Sequence, residues 1–464
     1  MSGPIYESAG EILNRIRQRE VTVRDVVESH LSRIDEVNPA LNAVITRCDD
    51  SALEQADKAD KALSEGKAAG PLHGLPFTIK DVFFTKGIRT TAGTKGLSDH
   101  VPDYNATVVD RLLDAGAILL GKTNTPELTF FYETDNLIFG KTNNPYDLTL
   151  SPGGSSGGAA AIITAGGSPL DIGSDTGGSI RAPAHFCGIA GIKPTHGRVP
   201  RKGFIPPGGT PVDPITQIGP LCRYVGDLEL ILPVISGADW HDSSAYDLPP
   251  PDSGGADLRR LRVCYYTDNG VAPVREEISA AVRNAAQILG DEGASVSEDR
   301  PEGVERAADL FFRLFMTDGG AWVRRLFERY GTDEIYPFLA WTEKRDDEPE
   351  APASAFTMLL EEIDSFRTDM ANFIGAYDAI IAPVYPAAAL PHGNPTNSEN
   401  MPGFSYCQAY NLTGWPVVVV RGGASPEGLP IGVQIITRPW REDLGLAIAR
   451  TIESRTGGFQ PPSL

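Results

Sequence analysis

Apolar positions near the start of the chain recur with the period of a helix. Residues 7–36 read as two amphipathic helices. In the second, Thr22 can cap the first turn, Val26, Val27, Leu31 and Ile34 share one face, and Asn38-Pro39 is expected to end it. The period then shortens. Residues 41–46 read as a strand, 51–65 as a helix rich in Ala, Lys and Asp that faces solvent, and 75–80 as a short apolar strand running into Asp81. A helix over 107–115 precedes a parallel strand over 117–120, and a helix over 159–165 precedes a strand over 169–172. Such alternation predicts an α/β sheet with covering helices.

Two stretches break the pattern. Residues 242–257, with Pro249-Pro250-Pro251 and Gly254-Gly255, read as the main internal loop, and 346–352 is acidic and proline-bearing. Between and around them lie a strand at 262–266, a helix at 275–289 with Ile278, Val282, Ala285 and Leu289 on one face, and buried-strand texture at 378–382, 417–421 and 431–436. A chain that supplies strands at both ends usually folds them into one sheet. The reading is therefore one domain over residues 1–464, with a mostly helical segment at 268–375 inserted in it.

Composition narrows the classes. Of 464 residues, 41% are hydrophobic and 22% charged, ordinary for a chain that buries a large core. Lys and Arg number 41 against 61 Asp and Glu, a net charge of −20, which argues against a phosphate-binding or anionic-membrane surface. The five cysteines (Cys48, Cys187, Cys222, Cys264, Cys407) are scattered, with no disulfide framework and no CxxC pair. Met1-Ser2-Gly3-Pro4 has no signal-peptide character and the longest apolar runs are too short to span a bilayer, so a cytoplasmic protein is expected.

The candidate chemistry sits in two glycine/serine clusters, Ser151-Pro-Gly-Gly-Ser155-Ser156-Gly-Gly158 and Gly173-Ser-Asp175-Thr176-Gly177-Gly178-Ser179-Ile-Arg181, with Ser155 and Ser179 24 residues apart. Alone, such runs are commonly surface turns. Here a helix and a strand separate them, and glycines at the edges of well-formed elements let a backbone approach a ligand closely. Amides of residues 176–179 could converge on an anion. No GxxxxGK[ST] or strand-borne GxGxxG suggests a phosphate loop. If Ser179 is a nucleophile it needs a base. His185 and His196 lie near in sequence without telling spacing, and no GxSxG surrounds Ser179. Lys80 closes an apolar strand where desolvation would lower its pKa, although a lysine there is more often the solvated end of the strand.

Gly74-Leu-Pro-Phe-Thr-Ile-Lys80-Asp81, the cluster at 151–158, and Asp175-Thr-Gly-Gly-Ser179-Ile-Arg-Ala-Pro183 followed by Phe186-Cys-Gly188 and Gly191-Ile-Lys-Pro194 together resemble the amidase signature family, as do Tyr410-Asn-Leu-Thr-Gly-Trp-Pro416 and Leu429-Pro-Ile-Gly-Val-Gln-Ile435. The resemblance runs from about residue 7 to the C-terminus. It implies the amidase signature fold, a central mixed β-sheet with helices on both faces, in which segment 268–375 could shape the substrate pocket. It also implies a Ser–Ser–Lys triad. Ser179 is the nucleophile, Ser155, reached through a cis peptide bond from Gly154, is the bridge, and Lys80 is the base. The amides of Thr176 to Ser179 then hold the oxyanion, so Thr176, Gly177 and Gly178 count as substrate-binding, as does Thr129, which sits where a backbone carbonyl faces the acyl pocket. Asp175 and Arg181 brace the loop. Neither a metal nor an organic cofactor is implied.

The function expected is hydrolysis of a carboxamide to carboxylate and amine through an acyl-enzyme. The expected partner is a small-molecule amide, with no direct nucleic acid and no membrane, and a homodimer left open. The glutaminase subunit of a tRNA-dependent amidotransferase is the alternative. It ranks second because Phe204-Ile-Pro-Pro-Gly-Gly-Thr-Pro211 intervenes before Gln217-Ile-Gly-Pro220, where those subunits carry a shorter connection. A non-catalytic binding protein is the remote third reading. Phe130-Phe131-Tyr132 with Phe311-Phe312, Phe315 and Trp322 suggests an apolar or aryl acyl group, against the plainer reading of aromatic core.

Overall fold

The computed structural model describes residues 4–68, 70–249, 257–342 and 352–464. Among them eleven strands form one sheet: β1 (Val44–Arg47), β2 (Pro76–Lys80), β3 (Ile118–Thr123), β4 (Leu170–Asp175), β5 (Ala190–Lys193), β6 (Gln217–Cys222), β7 (Arg262–Tyr265), β8 (Ser295–Glu298), β9 (Ala379–Pro383), β10 (Val417–Ala424) and β11 (Pro430–Thr437). Their order is β1-β3-β2-β4-β6-β5-β10-β11-β9-β7-β8. β2 runs parallel to β3 and β4, and β7 to β8 and β9, while the remaining neighbours are antiparallel. The sheet is the mixed α/β type expected. Every residue of β2, β3, β4 and β6 is buried, although side chains alternate between the faces, so helices cover both sides.

The helical signals are met locally by their caps. Thr22 accepts the Asp25 amide while the Asp25 carboxylate accepts the Thr22 amide. Asn38-Pro39 does not end that helix, which runs over Val23–Leu41 and contains Pro39. The stop comes later because Asn42 takes φ 51° and donates to the Asn38 carbonyl, and the Asn38 side chain accepts the amides of Ala43 and Val44. The strand expected from residue 41 therefore starts at Val44. The helix Asp49–Ser64 buries only Ala52 and Ala56, as its polar composition implies.

Residues 250–256 of the first expected irregular stretch and 346–351 of the second lie outside the described residues, as do 343–345. Segment 268–375 holds the helices Glu276–Asp291, Ala307–Phe315, Ala321–Tyr330 and Ala353–Ile374, and also β8, which extends the main sheet beside β7. Among the described residues no helix is long and apolar enough to cross a membrane.

Because β2 and β4 are parallel neighbours, their C-terminal ends emerge at the same edge. Lys80 ends β2 and Asp175 ends β4, and the two glycine-rich loops gather there.

Candidate active site

Lys80 is fully buried, and its Nζ donates to three hydroxyls: Ser155 Oγ at 2.6 Å, Ser156 Oγ at 3.0 Å and Ser174 Oγ at 3.0 Å. Among the described residues no carboxylate lies within ion-pair distance of it. Burial pushes its pKa down to about 7, and the carboxylates of Asp171 and Asp175 pull in the opposite direction. Lys122, a buried amine on the neighbouring strand β3, differs. It has Asp81 at 3.7 Å and donates to the Phe83 carbonyl and to the hydroxyls of Thr85 and Thr90. Both lysines occupy apolar strands, but only Lys80 faces hydroxyls without an ion-pair partner.

Loop 151–156 is held from outside itself. Thr134 Oγ1 donates to the Gly153 carbonyl and accepts the Gly157 amide, both at 3.0 Å, and Thr125 Oγ1 donates to the Ser155 carbonyl at 3.0 Å. The Gly154–Ser155 peptide bond is cis, as the resemblance implies. A Cβ on Gly154 would lie 2.6 Å from the Glu133 amide nitrogen, so only glycine fits against that backbone. The helix Gly157–Thr164 then starts directly behind Ser156.

The second loop is built on a buried ion pair. Arg181 grips both oxygens of Asp175, with Nη2–Oδ1 at 2.9 Å and Nε–Oδ2 at 3.0 Å. It also reaches the Cys407 carbonyl, Gln434 and Asn411. Burial alone would raise the Asp175 pKa, but Arg181 and the Asn411 amide hold this carboxyl well below the usual range. The carboxylate accepts the amides of Gly178, Ile180 and Arg181, which fixes the turn into the helix Arg181–Cys187. Bracing is thus the work of Asp175 and Arg181.

Gly178 departs from its expected role. Its amide, taken with its neighbours as an oxyanion donor, points into Asp175 at 2.8 Å and is consumed there. The amides of Thr176, Gly177 and Ser179 make no hydrogen bond among the described residues, which leaves them as the available donors. Gly178 serves instead through its backbone: φ is +127°, and a Cβ would lie 2.9 Å from Cys407 Cβ. The Thr176 hydroxyl pairs with that of Thr216 at 2.9 Å.

Ser179 is buried beside Ser156, whose amide donates to the Ser179 carbonyl at 3.1 Å. No hydrogen bond joins Ser155 Oγ to Ser179 Oγ among the described residues, so the amine end of the expected relay is assembled and the nucleophile end is open. Hydrogen bonds of this kind commonly tighten only around a bound substrate. The histidine option is removed by geometry. His185 Nδ1 accepts the Gly432 amide at 2.8 Å and Nε2 meets the Ala387 carbonyl at 2.8 Å, while His196 faces Gln217.

Ser179 opens onto a cavity of about 260 Å³ whose wall includes Thr129, Thr176 and Gly177. Thr129 stands in a tight turn with φ +68°. Of the aromatic residues singled out in the sequence, Phe130, Phe131, Tyr132, Phe311, Phe312 and Phe315 line the cavity. Trp322 does not; it packs edge-on behind Phe130 and Phe315, with centroids 5.1 and 5.2 Å away. Tyr132 stacks on Phe404 at 3.7 Å, and its hydroxyl accepts from Gln408 at 3.1 Å.

Sequence reasoning missed Ser156 and Ser174 as partners of Lys80, and Asp171 as the carboxylate behind it. Asp171 is fully buried, accepts from Thr123 Oγ1 at 3.0 Å, and is raised to about 7 by its burial. The register of β2 on β4, which pairs Thr78 with Asp171, would have pointed to it, but no single strand carries its own register. Among the described residues no cluster of three or more His, Cys, Asp or Glu could hold a metal ion.

A family model described as Amidase matches residues 25–446. The chain is 36% identical over 448 residues to the glutamyl-tRNA(Gln) amidotransferase A subunit of Chloroflexus aggregans, covering 91% of each chain. In structure it is similar to 6-aminohexanoate cyclic dimer hydrolase, with a TM-score of 0.88, 28% identity and 99% of each chain covered. It is also similar to a bacterial aryl acylamidase of the amidase signature family, with a TM-score of 0.87, 27% identity and 97% of each chain covered.

The first of these relatives corrects the expectation of a small-molecule amide as partner with no nucleic acid. Net charge is a sum over the whole chain and says nothing about what a partner chain contacts. The departure at 204–211 is one short loop, and it is outweighed by identity sustained over nine-tenths of the chain. That loop is anchored in the core by the pairing of Phe83 with Phe204.

Proposed function

Because this chain belongs to the amidase family and is an amide hydrolase, we propose that it opens a carboxamide through an acyl-enzyme on Ser179, with Lys80 as base and Ser155 between them. The observation that carries this reading is the fully buried Lys80 amine, 2.6 Å from Ser155 Oγ and without an ion-pair partner among the described residues.

A neutral amine accepts the Ser155 proton as Ser155 takes that of Ser179, and Ser179 Oγ attacks the carbonyl carbon. The amides of Thr176, Gly177 and Ser179 support the oxyanion, each such donor being worth about 3 kcal/mol. The proton returns by the same route to the leaving nitrogen, and the ammonia or amine departs. Water then repeats the attack and frees the carboxylate. Ser156 and Ser174 hold Nζ in place without joining the transfer. The test is mass-spectrometric trapping: a fluorophosphonate should label Ser179 in wild type and leave Lys80→Met unlabelled on the same timescale. Equal labelling of both would remove Lys80 from the mechanism.

A second reading concerns assembly. Identity to amidotransferase A subunits supports a chain that works with partner subunits in tRNA-dependent amidation. Ammonia release that appears only when a co-purified second chain is present would support it; full activity of the isolated chain, unchanged by any partner, counts against it. The five free cysteines, four of them buried, support a place in the cytoplasm.

A further inference from the structure

The cavity in front of Ser179 restricts what the amide can carry. Its wall is almost wholly ring and thioether: Phe130, Phe315, Phe338, Trp341, Met316 and Met401 are among its members, and apart from the Trp341 indole its polar side chains are hydroxyls alone. Among the described residues no charged side chain lines it. The rings are mutually fixed. Phe130 meets Phe315 edge-on at 5.5 Å, Phe131 lies 4.1 Å from Phe338, and Phe315 lies 5.6 Å from Trp341. These contacts join the turn at 127–129 to the helix Ala307–Phe315 and to the short helix Pro337–Thr342, so one side of the pocket comes from the segment after β7.

We infer that the amide opened here bears an uncharged, apolar acyl group, aromatic by preference, and that the free amino acid glutamine is a poor substrate. The inference rests on the amide-hydrolysis reading above. An α-ammonium and an α-carboxylate entering this cavity would give up their hydration and meet no opposite charge, a loss that hydroxyl groups do not repay. A ring gains from burial and from edge contacts with the wall. The size agrees, because an apolar cavity of about 150 Å³ holds benzene, and about 260 Å³ adds room for a short chain joining the ring to the carbonyl. If the chain works in an assembly like its A-subunit relatives, the amide it opens is still selected by this wall.

The experiment measures ammonia release by the full chain from 3-phenylpropanamide, propanamide and L-glutamine, alongside fluorophosphonate labelling of Ser179. The aryl amide should exceed each of the others at least a hundredfold in kcat/KM. Phe312 is a wall residue that is 40% exposed and so tolerant of change. Phe312→Arg should lower kcat/KM for the aryl amide at least tenfold, chiefly through KM, while Ser179 still labels. Propanamide or glutamine within tenfold of the aryl amide overturns the inference and leaves amide hydrolysis standing, as does labelled Ser179 with none of the three amides opened. Unlabelled Ser179 with no amide opened overturns the reading beneath it as well.

Discussion

Lys80 Nζ lies 2.6 Å from Ser155 Oγ across 75 residues of chain. The contact exists because β2 ends where the loop before the helix Gly157–Thr164 passes, and because Ser156 and Ser174 occupy the other two donor directions of the amine. An amine placed this way keeps its lone pair available once it loses its proton, and its burial makes that loss occur near neutral pH.

Ser179→Ala should lower kcat by at least about a thousandfold and abolish fluorophosphonate labelling, with little change in thermal stability, since one small hydroxyl is removed. Ammonia release within tenfold of wild type would exclude Ser179 as the nucleophile.

The rate should depend on Lys80 in a definite direction. Its pKa is lowered to about 7, so the amine is charged and inactive below that value and neutral and active above it. A profile of kcat/KM from about pH 5 to about pH 9 should therefore rise with an inflexion near 7. Lys80→Met should lose most of kcat, and its residual rate should lack that limb. A limb of wild-type position in the variant would assign the titration to another group.

Asp171→Asn removes a carboxylate that pulls the Lys80 pKa upward, while the new amide oxygen can still accept from Thr123. The acidic limb should move to lower pH. A limb that stays in place would show that Asp171 and Lys80 are not electrostatically coupled.

Arg181→Met leaves the Asp175 carboxylate buried without its cation. Removing one member of such a pair costs about 3–5 kcal/mol, read as a loss of unfolding free energy in urea. A loss below about 1 kcal/mol would mean that Asn411 and the three loop amides suffice to hold Asp175.

Two glycines should respond oppositely to alanine. At Gly177 a Cβ would stand 2.4 Å from Tyr132 Oη and 2.9 Å from Phe311 Cζ, so Gly177→Ala should displace the oxyanion loop and cost about a hundredfold or more in kcat. At Gly226, in the helix Val225–Ile235, a Cβ meets nothing within 4 Å. Gly226→Ala should raise stability by about 0.5–1 kcal/mol and leave activity unchanged. Equal activities for the two variants would refute crowding as the cause.

Much of the fold is legible in the chain because its causes are local. The Thr22 cap, the polar face of Asp49–Ser64 and the apolar runs of β2 and β3 each follow from a few neighbouring residues. The end of Val23–Leu41 is not legible in the same way, because the Asn38 side chain, reaching forward to the amides of Ala43 and Val44, decides the stop rather than Pro39. The catalytic candidates emerge only through motif and resemblance, since Lys80, Ser155 and Ser179 are each unremarkable alone.

By itself, then, the chain determined which residues are chemically able: a lysine at the end of an apolar strand, serines among glycines, a carboxylate six residues before an arginine. Only the tertiary structure decided which groups meet. Strand register set Asp171 behind Lys80, loop packing turned the Gly178 amide into Asp175, and helices remote in sequence walled Ser179 with rings. The physical reason is range: caps and hydrophobic period act over a few residues, whereas the pairing of charges, donors and cavity walls depends on distances that only the folded chain fixes.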